Sequence, residues 1–337
     1  MSPRIAARHA QAPASAGDRA PAATLRPAAG LSSATESALA ATGLDPTGVA
    51  DVLARALAED LPATSGLGVD ATSAATVPAD LVATGRIVSR ARGVVAGLPV
   101  AAAVFEAVLG ASAQVTLTAA DGDRVEPGGE VLRVRGPVRG LLTAERTALN
   151  LLCHLSGVAT ATRAWVDAIA GTGAAVRDTR KTLPGLRALE KYAVRAGGGV
   201  NHRMSLVDAA LVKDNHVVAA GGVPAAFAAV RAAFPDLPVE VECDTVEQVA
   251  EAVEAGADLI LCDNMSTDEL RAAVALARPA GVLLEASGGL TLAGAAEVAA
   301  TGVDYLSVGA LTHSVMALDL GLDLTLDARP APARERG

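Results

Sequence analysis

The sequence predicts an α/β chain: an incomplete, open α/β barrel of about six βα units, TIM-like, behind a smaller N-terminal α+β sandwich domain. Three observations predict it. Short apolar runs recur through the second half, mostly at 20–30-residue intervals, with Ala-rich helical stretches between them. Each run from the second onward stops at a polar or Gly-rich group. The first half instead sets short strands between Asp- and Gly-rich turns and amphipathic helices.

A chain of 337 residues has room for two domains. Its hydrophobic share is 51% with only 2% aromatics, a mixture of Ala, Val and Leu suited to helices packed closely on a sheet. The formal net charge of −9 argues against general nucleic-acid binding, which needs a basic face. No apolar run reaches the roughly 18 residues of a membrane span, so a soluble protein is expected. Cys153, Cys243 and Cys262 make no CxxC pair and leave one odd, which suits small core thiols in a reducing cytoplasm.

In chain order, residues 1–43 are expected to form a disordered extension, since the Ala/Pro/Ser/Arg-rich part to residue 34 shows neither period. It is Arg-rich and acid-poor, which superficially fits a targeting leader, but it lacks a secretory apolar centre. Residues 44–148 are assigned to the α+β domain, with helices at 49–59 and 100–109 and strands at 85–89, 93–96, 115–118 and 129–134. A helix at 141–155 follows. Residues 149–314 are assigned to the barrel, with strands at 174–177, 206–212, 239–243, 259–262, 282–286 and 305–308. Helices at 223–234, 246–255, 267–277 and 292–300 alternate with them, each closed by Gly or Pro. Residues 315–328 are expected to return to the first domain, and 329–337 to form a flexible tail.

The chemistry concentrates between Arg177 and His216, where Arg180, Lys181, His202, Arg203 and Lys213 gather against the acidic balance of the chain. A charge run is commonly a solvated loop. Here the cations are interleaved with Gly and small apolar residues, which points them inward, at a small polyanion. Glu242 and Asp263 end neighbouring strands and suit Mg²⁺ or ribose hydroxyls. Ser287, Gly288, Gly289 and Gly309 follow the last two strands, where barrel phosphate sites form. Several arginines suggest an acid with more than one carboxylate, because the guanidinium fork matches that group. Any one of these signals would fit an ordinary turn or surface charge, but five strand ends in series do not.

The motifs TAERTALN (143–150), DTRKTLPGLR (178–187), NHR (201–203), LVKDNH (211–216), VEVE (239–242), DN (263–264), EASGG (285–289) and SVGALTHS (307–314) resemble those of quinolinate phosphoribosyltransferases, in order, over residues 44–323. The resemblance implies a pentosyltransferase that moves phosphoribosyl from 5-phosphoribosyl-1-pyrophosphate to quinolinate. Pyrophosphate and CO₂ leave, and nicotinate mononucleotide forms for NAD synthesis. It implies that Arg146, Arg180, His202, Arg203 and Lys213 bind quinolinate, and that Lys181, Glu242 and Asp263 are catalytic, the two acids holding Mg²⁺ directly or through water. It implies phosphoribosyl and phosphate contacts from Thr179, Lys181, Glu242, Asp263, Ser287, Gly288, Gly289, Val308, Gly309, Ala310 and His313. It also implies a cytoplasmic dimer, or an assembly of dimers, with Arg146 reaching the partner's site. Three rivals stand beside it: a Schiff-base aldolase using Lys213, a catalytically silent binding protein, and, nearer, a same-fold homologue associated with molybdenum transport.

Overall fold

A computed structural model of the chain describes residues 31–62 and 68–327. Helix α1 (Ser33–Ala41) starts where Ser32 Oγ accepts the Thr35 N–H, and α2 (Pro46–Asp60) where the Asp45 carboxylate accepts from Thr47 and Gly48. Leu39 of α1 is fully buried, together with Val49, Leu53 and Leu57 of α2. The extension predicted to reach residue 43 therefore ends sooner, because burying Leu39 gives α1 a reason to form. Residues 1–30 of that prediction, and the predicted tail, lie outside the described residues.

The first domain continues with α3 (Ala71–Thr76), β1 (Val82–Ser89), β2 (Gly93–Val94), α4 (Leu98–Leu109), β3 (Gln114–Leu117), β4 (Arg124–Val125) and β5 (Glu130–Pro137). Helix α5 (Val138–Ala168) then runs unbroken for 31 residues. It contains no proline, and Leu141, Ala144, Ala148, Leu152, Leu155, Ala159 and Thr162 keep one buried stripe throughout. The predicted helix at 141–155 is thus only its middle. The boundary predicted between residues 148 and 149 falls inside it, since one stripe serves both cores.

The barrel half consists of β6 (Ala175–Arg177), α6 (Arg187–Ala196), β7 (Ala210–Val212), α7 (Asp214–Ala220), α8 (Val223–Ala233), β8 (Val239–Cys243), α9 (Val246–Glu254), β9 (Leu259–Asp263), α10 (Thr267–Ala277), β10 (Leu283–Ser287), α11 (Ala295–Ala299), β11 (Tyr305–Ser307) and α12 (Ala310–His313). Its six strands form one parallel sheet, ordered β6-β11-β10-β9-β8-β7. Beyond β6, Val200 adds a parallel bridge to Arg177. The residues from there to β7 span the open side.

The run predicted as a strand at 206–212 pairs only from Ala210. Upstream, the Asp208 carboxylate accepts the N–H groups of Met204 and Ser205, which turns the backbone away from the sheet. Leu206 and Val207 are left 65% and 83% exposed.

After the barrel the chain crosses α5, where the Leu318 N–H donates to Cys153 O at 2.9 Å. A Cβ on Gly157 would lie 3.1 Å from the Ala317 Cα, so the crossing needs glycine there. Strand β12 (Leu320–Leu326) then pairs antiparallel with β1, giving the first domain the sheet order β12-β1-β5-β3. All parallel strands therefore end on the same side of the barrel, and the site forms there.

Candidate active site

The strand ends open on a cavity of 390 Å³ lined by Thr179, Arg180, Lys181, His202, Arg203, Leu211, Lys213, Glu242, Leu261, Asp263, Glu285, Ser287 and Ser307. Nine of these are sequence-predicted: Thr179, Arg180, Lys181, His202, Arg203, Lys213, Glu242, Asp263 and Ser287. Gly309 and His313 stand beside them. A Cβ on Gly309 would lie 2.9 Å from Lys181 Cδ, 3.5 Å from Thr179 Oγ1 and 3.4 Å from His313 Nε2. Gly288, Gly289, Val308 and Ala310 do not line the cavity. Gly288 backs onto Asn264, while Val308 is buried at the strand end and Ala310 opens the short helix α12. Arg146 lies exposed on α5 and also does not line the cavity of its own chain.

Local geometry aims the cations. Arg203 Nη1 donates to Ala209 O at 2.8 Å, closing the turn that Asp208 caps. The Nε atoms of Arg180 and Arg203 are buried and meet no acceptor. Arg203 has its pKa lowered, first by burial and then by the like charge of Arg180. Two neighbouring guanidinium groups give this wall of the cavity a positive charge that an anion can pair with.

Lys213 Nζ pairs with Glu242, its neighbour across β7 and β8. Asp263 accepts from Asn264 Nδ2 at 2.6 Å. Asn264 is the only non-glycine with positive φ among the described residues, at 56°, and its N–H donates to Ser287 O at 2.9 Å. That left-handed turn ties β9 to β10 at the mouth.

Beneath the cavity lies a buried polar layer. Glu285 pairs with Arg177 and accepts from Ser307 Oγ. His202 Nε2 is 2.8 Å from Glu240 and 3.8 Å from Glu285. Burial, and then the charge of Glu240, raises the Glu285 pKa. The ligand atoms of His202, Glu240 and Glu285 lie within 4.8 Å of one another, close enough to surround an ion. However, His202 Nδ1 accepts the Arg203 N–H at 2.7 Å, so the ring proton sits on Nε2, the atom facing both acids. This trio fits a shared proton better than a metal.

Glu242 and Asp263 fit Mg²⁺ better, as oxygen donors on adjacent strands facing a cavity with room for phosphate. Sequence reasoning gave no role to Glu240, Glu285 or Ser307. The available signal was an acid inside an apolar parallel strand, which has to find a buried partner.

The fold makes this chain an α/β-barrel protein with a cation-lined cavity at its strand ends. Family models for the quinolinate phosphoribosyl transferase N-terminal and C-terminal domains match residues 70–156 and 158–323. A Mycobacterium leprae protein named nicotinate-nucleotide pyrophosphorylase [carboxylating] is 56% identical over 277 residues, covering 81% of this chain and 96% of that protein. The human protein of that name is 43% identical over 250 residues, covering 72% of this chain and 83% of its own length. A crystal structure of NadC from Streptococcus pyogenes superposes with a TM-score of 0.80 at 40% identity, over 85% of this chain and 99% of that one. The chain belongs to the quinolinate phosphoribosyl transferase family.

Proposed function

We propose that the chain transfers phosphoribosyl from 5-phosphoribosyl-1-pyrophosphate to quinolinate, with loss of pyrophosphate and CO₂, giving nicotinate mononucleotide for de novo NAD synthesis. The observation that carries this reading is the convergence of Arg180, His202, Arg203 and Lys213 with Glu242 and Asp263 on one cavity at the strand ends. Arg180, Arg203, His202 and Lys213 receive the two carboxylates and hold the ring nitrogen toward the sugar. Thr179, Ser287 and Lys181, with Gly309 and His313 beside Lys181, take the phosphates; backbone at Gly288, Gly289, Val308 and Ala310 shapes that end of the mouth. As pyrophosphate departs, positive charge grows on the ribose and negative charge on the leaving group. The carboxylates of Glu242 and Asp263 face the former and Lys181 the latter. Mg²⁺ held by Glu242 and Asp263, directly or through water, would neutralise pyrophosphate charge. Once the ring nitrogen is ribosylated, its positive charge stabilises the electron pair that CO₂ leaves on the adjacent ring carbon, and a proton taken up at that carbon completes nicotinate mononucleotide.

Arg146 points this reading toward a dimer. It is exposed and away from its own cavity, so its proposed contact with quinolinate is made in the site of a second copy. A reducing cytoplasm is supported by the unpaired Cys153, Cys243 and Cys262. Burial pushes the Cys262 thiol up to about 12. Among the described residues no single helix is long and apolar enough to cross a membrane. The Lys213–Glu242 pair disfavours the aldolase alternative, because it engages the ammonium that a Schiff base would need as free amine.

The test is release of CO₂ and pyrophosphate from quinolinate plus the phosphoribosyl donor, with nicotinate inert in its place. Turnover of nicotinate but not quinolinate would overturn the substrate assignment.

A further inference from the structure

Four of the five cavity cations, Arg180, Lys181, His202 and Arg203, come from two separate loops, and helix α6 connects those loops without lining the cavity. Lys191 and Asp178 have side chains 0% exposed and are paired. Lys191 Nζ also donates to His202 O at 2.8 Å, while Asp178 Oδ1 accepts the His202 N–H at 2.8 Å. Both backbone polar groups of His202 therefore end on this one ion pair. Asp178 Oδ2 accepts from Asn201 Nδ2 at 2.5 Å, and the same amide donates to Lys191 O at 2.9 Å.

Asp178 is also the residue from which the Thr179–Arg180–Lys181 loop departs. The far end of that loop is held by the neighbour of Lys191. The Glu190 carboxylate accepts the Leu183 N–H at 3.1 Å and meets His154 Nε2 at 2.8 Å. Consecutive residues of α6 thus hold both ends of one cation loop, and one of them also holds the start of the other.

We propose that Asp178 and Lys191 are a positioning pair that sets the separation of Arg180 from His202 and Arg203, and thereby the preference for an acid with two carboxylates. This rests on the quinolinate reading above and adds the residues that determine its selectivity. Physical chemistry favours a geometric role. A buried ion pair gives little stability beyond apolar residues of similar volume, because desolvating both charges offsets their attraction. Arg180 and Arg203 repel each other, and free loops would relax by moving apart. The pair resists that movement, since shifting either loop breaks bonds to a buried charge. A receptor for two adjacent carboxylates requires such spacing, whereas one carboxylate can be met by either loop alone.

The test uses the double variant Asp178→Asn/Lys191→Met, which removes both charges and strands neither. Binding of quinolinate and of nicotinate is measured by calorimetry, together with KM for the phosphoribosyl donor and the melting temperature. In the wild type, strong preference for quinolinate is expected. In the variant that preference should fall by about tenfold or more, with donor KM changed far less. A purely structural role would lower the active fraction and leave the ratio of affinities alone, and that result would overturn the proposal. A wild type without preference would overturn the quinolinate reading and this proposal with it, identified by the wild-type arm. Should the double variant not fold, Asn201→Ser replaces it, removing the amide that braces the pair through Asp178 Oδ2 and Lys191 O, together with the acceptor of Arg195 Nη1. A wild-type affinity ratio in that variant would also overturn the proposal.

Discussion

Arg180 and Arg203 stand close enough that the charge of one lowers the pKa of the other, and the Nε of each is buried without an acceptor. In the proposed reading these two guanidinium groups receive the carboxylates of quinolinate. Replacing Arg180 by Lys keeps the charge and loses the fork. Arg180→Lys is expected to weaken quinolinate binding on the order of tenfold or more, well beyond what its shorter reach explains. Titration calorimetry of the variant decides it; an unchanged affinity contradicts two-pronged carboxylate binding.

Arg146 and Lys181 are proposed to meet only across a subunit boundary. Arg146→Ala and Lys181→Ala should each be inactive alone. Co-refolded in equal amounts, half of randomly paired dimers are mixed and carry one intact site, so about a quarter of wild-type activity should return. Mixed dimers that form without recovering activity would rule out the shared site.

Two adjacent glycines offer an internal contrast. Gly288 has φ of +84°, and an added Cβ would lie 2.8 Å from the Asn264 backbone N, against the turn that ties β9 to β10. Gly289 has φ of +61°, yet its nearest neighbour would be 3.9 Å away. Gly288→Ala should cost about 2–3 kcal/mol and disturb donor binding, while Gly289→Ala should cost only about 1 kcal/mol. Equal losses in denaturant melts would show that the steric argument is wrong.

The turn carrying Arg203 should depend on acid. Burial raises the Asp208 pKa, but the N–H groups of Met204 and Ser205 and the Ser205 hydroxyl outweigh it and hold the group at about 2. Because the folded value lies below the unfolded one of roughly 3.9, the stabilisation is present above the unfolded value and lost as pH falls through the folded one. Asp208→Asn should lower the melting temperature near neutrality and flatten its decline between about pH 4 and 2. A variant whose acid decline matches the wild type would remove Asp208 from that role.

The barrel strands from β7 onward were legible because each is an apolar run that stops at a polar or Gly-rich group, as the β8 and β9 ends at Glu242 and Asp263 show. The residues at those ends were legible for the same reason. Helix α6 was not, since its stripe of Leu189, Tyr192 and Ala193 is hidden among cations that read as a binding loop. Glu285 sits inside a strand, and its partner Arg177 is 108 residues away, a pairing that no local pattern encodes. The short reach of β7 was missed because Leu206 and Val207 have strand-like side chains, while the Asp208 cap decides the backbone.

Helix α5 has a mechanical consequence. At about 1.5 Å per residue, its 31 residues make a rod of roughly 46 Å shared by the antiparallel sheet and the barrel. A clamshell motion of one half over the other would have to snap hydrogen bonds in the middle of that rod. Bending between the antiparallel sheet and the barrel is therefore opposed by every intact turn of that rod.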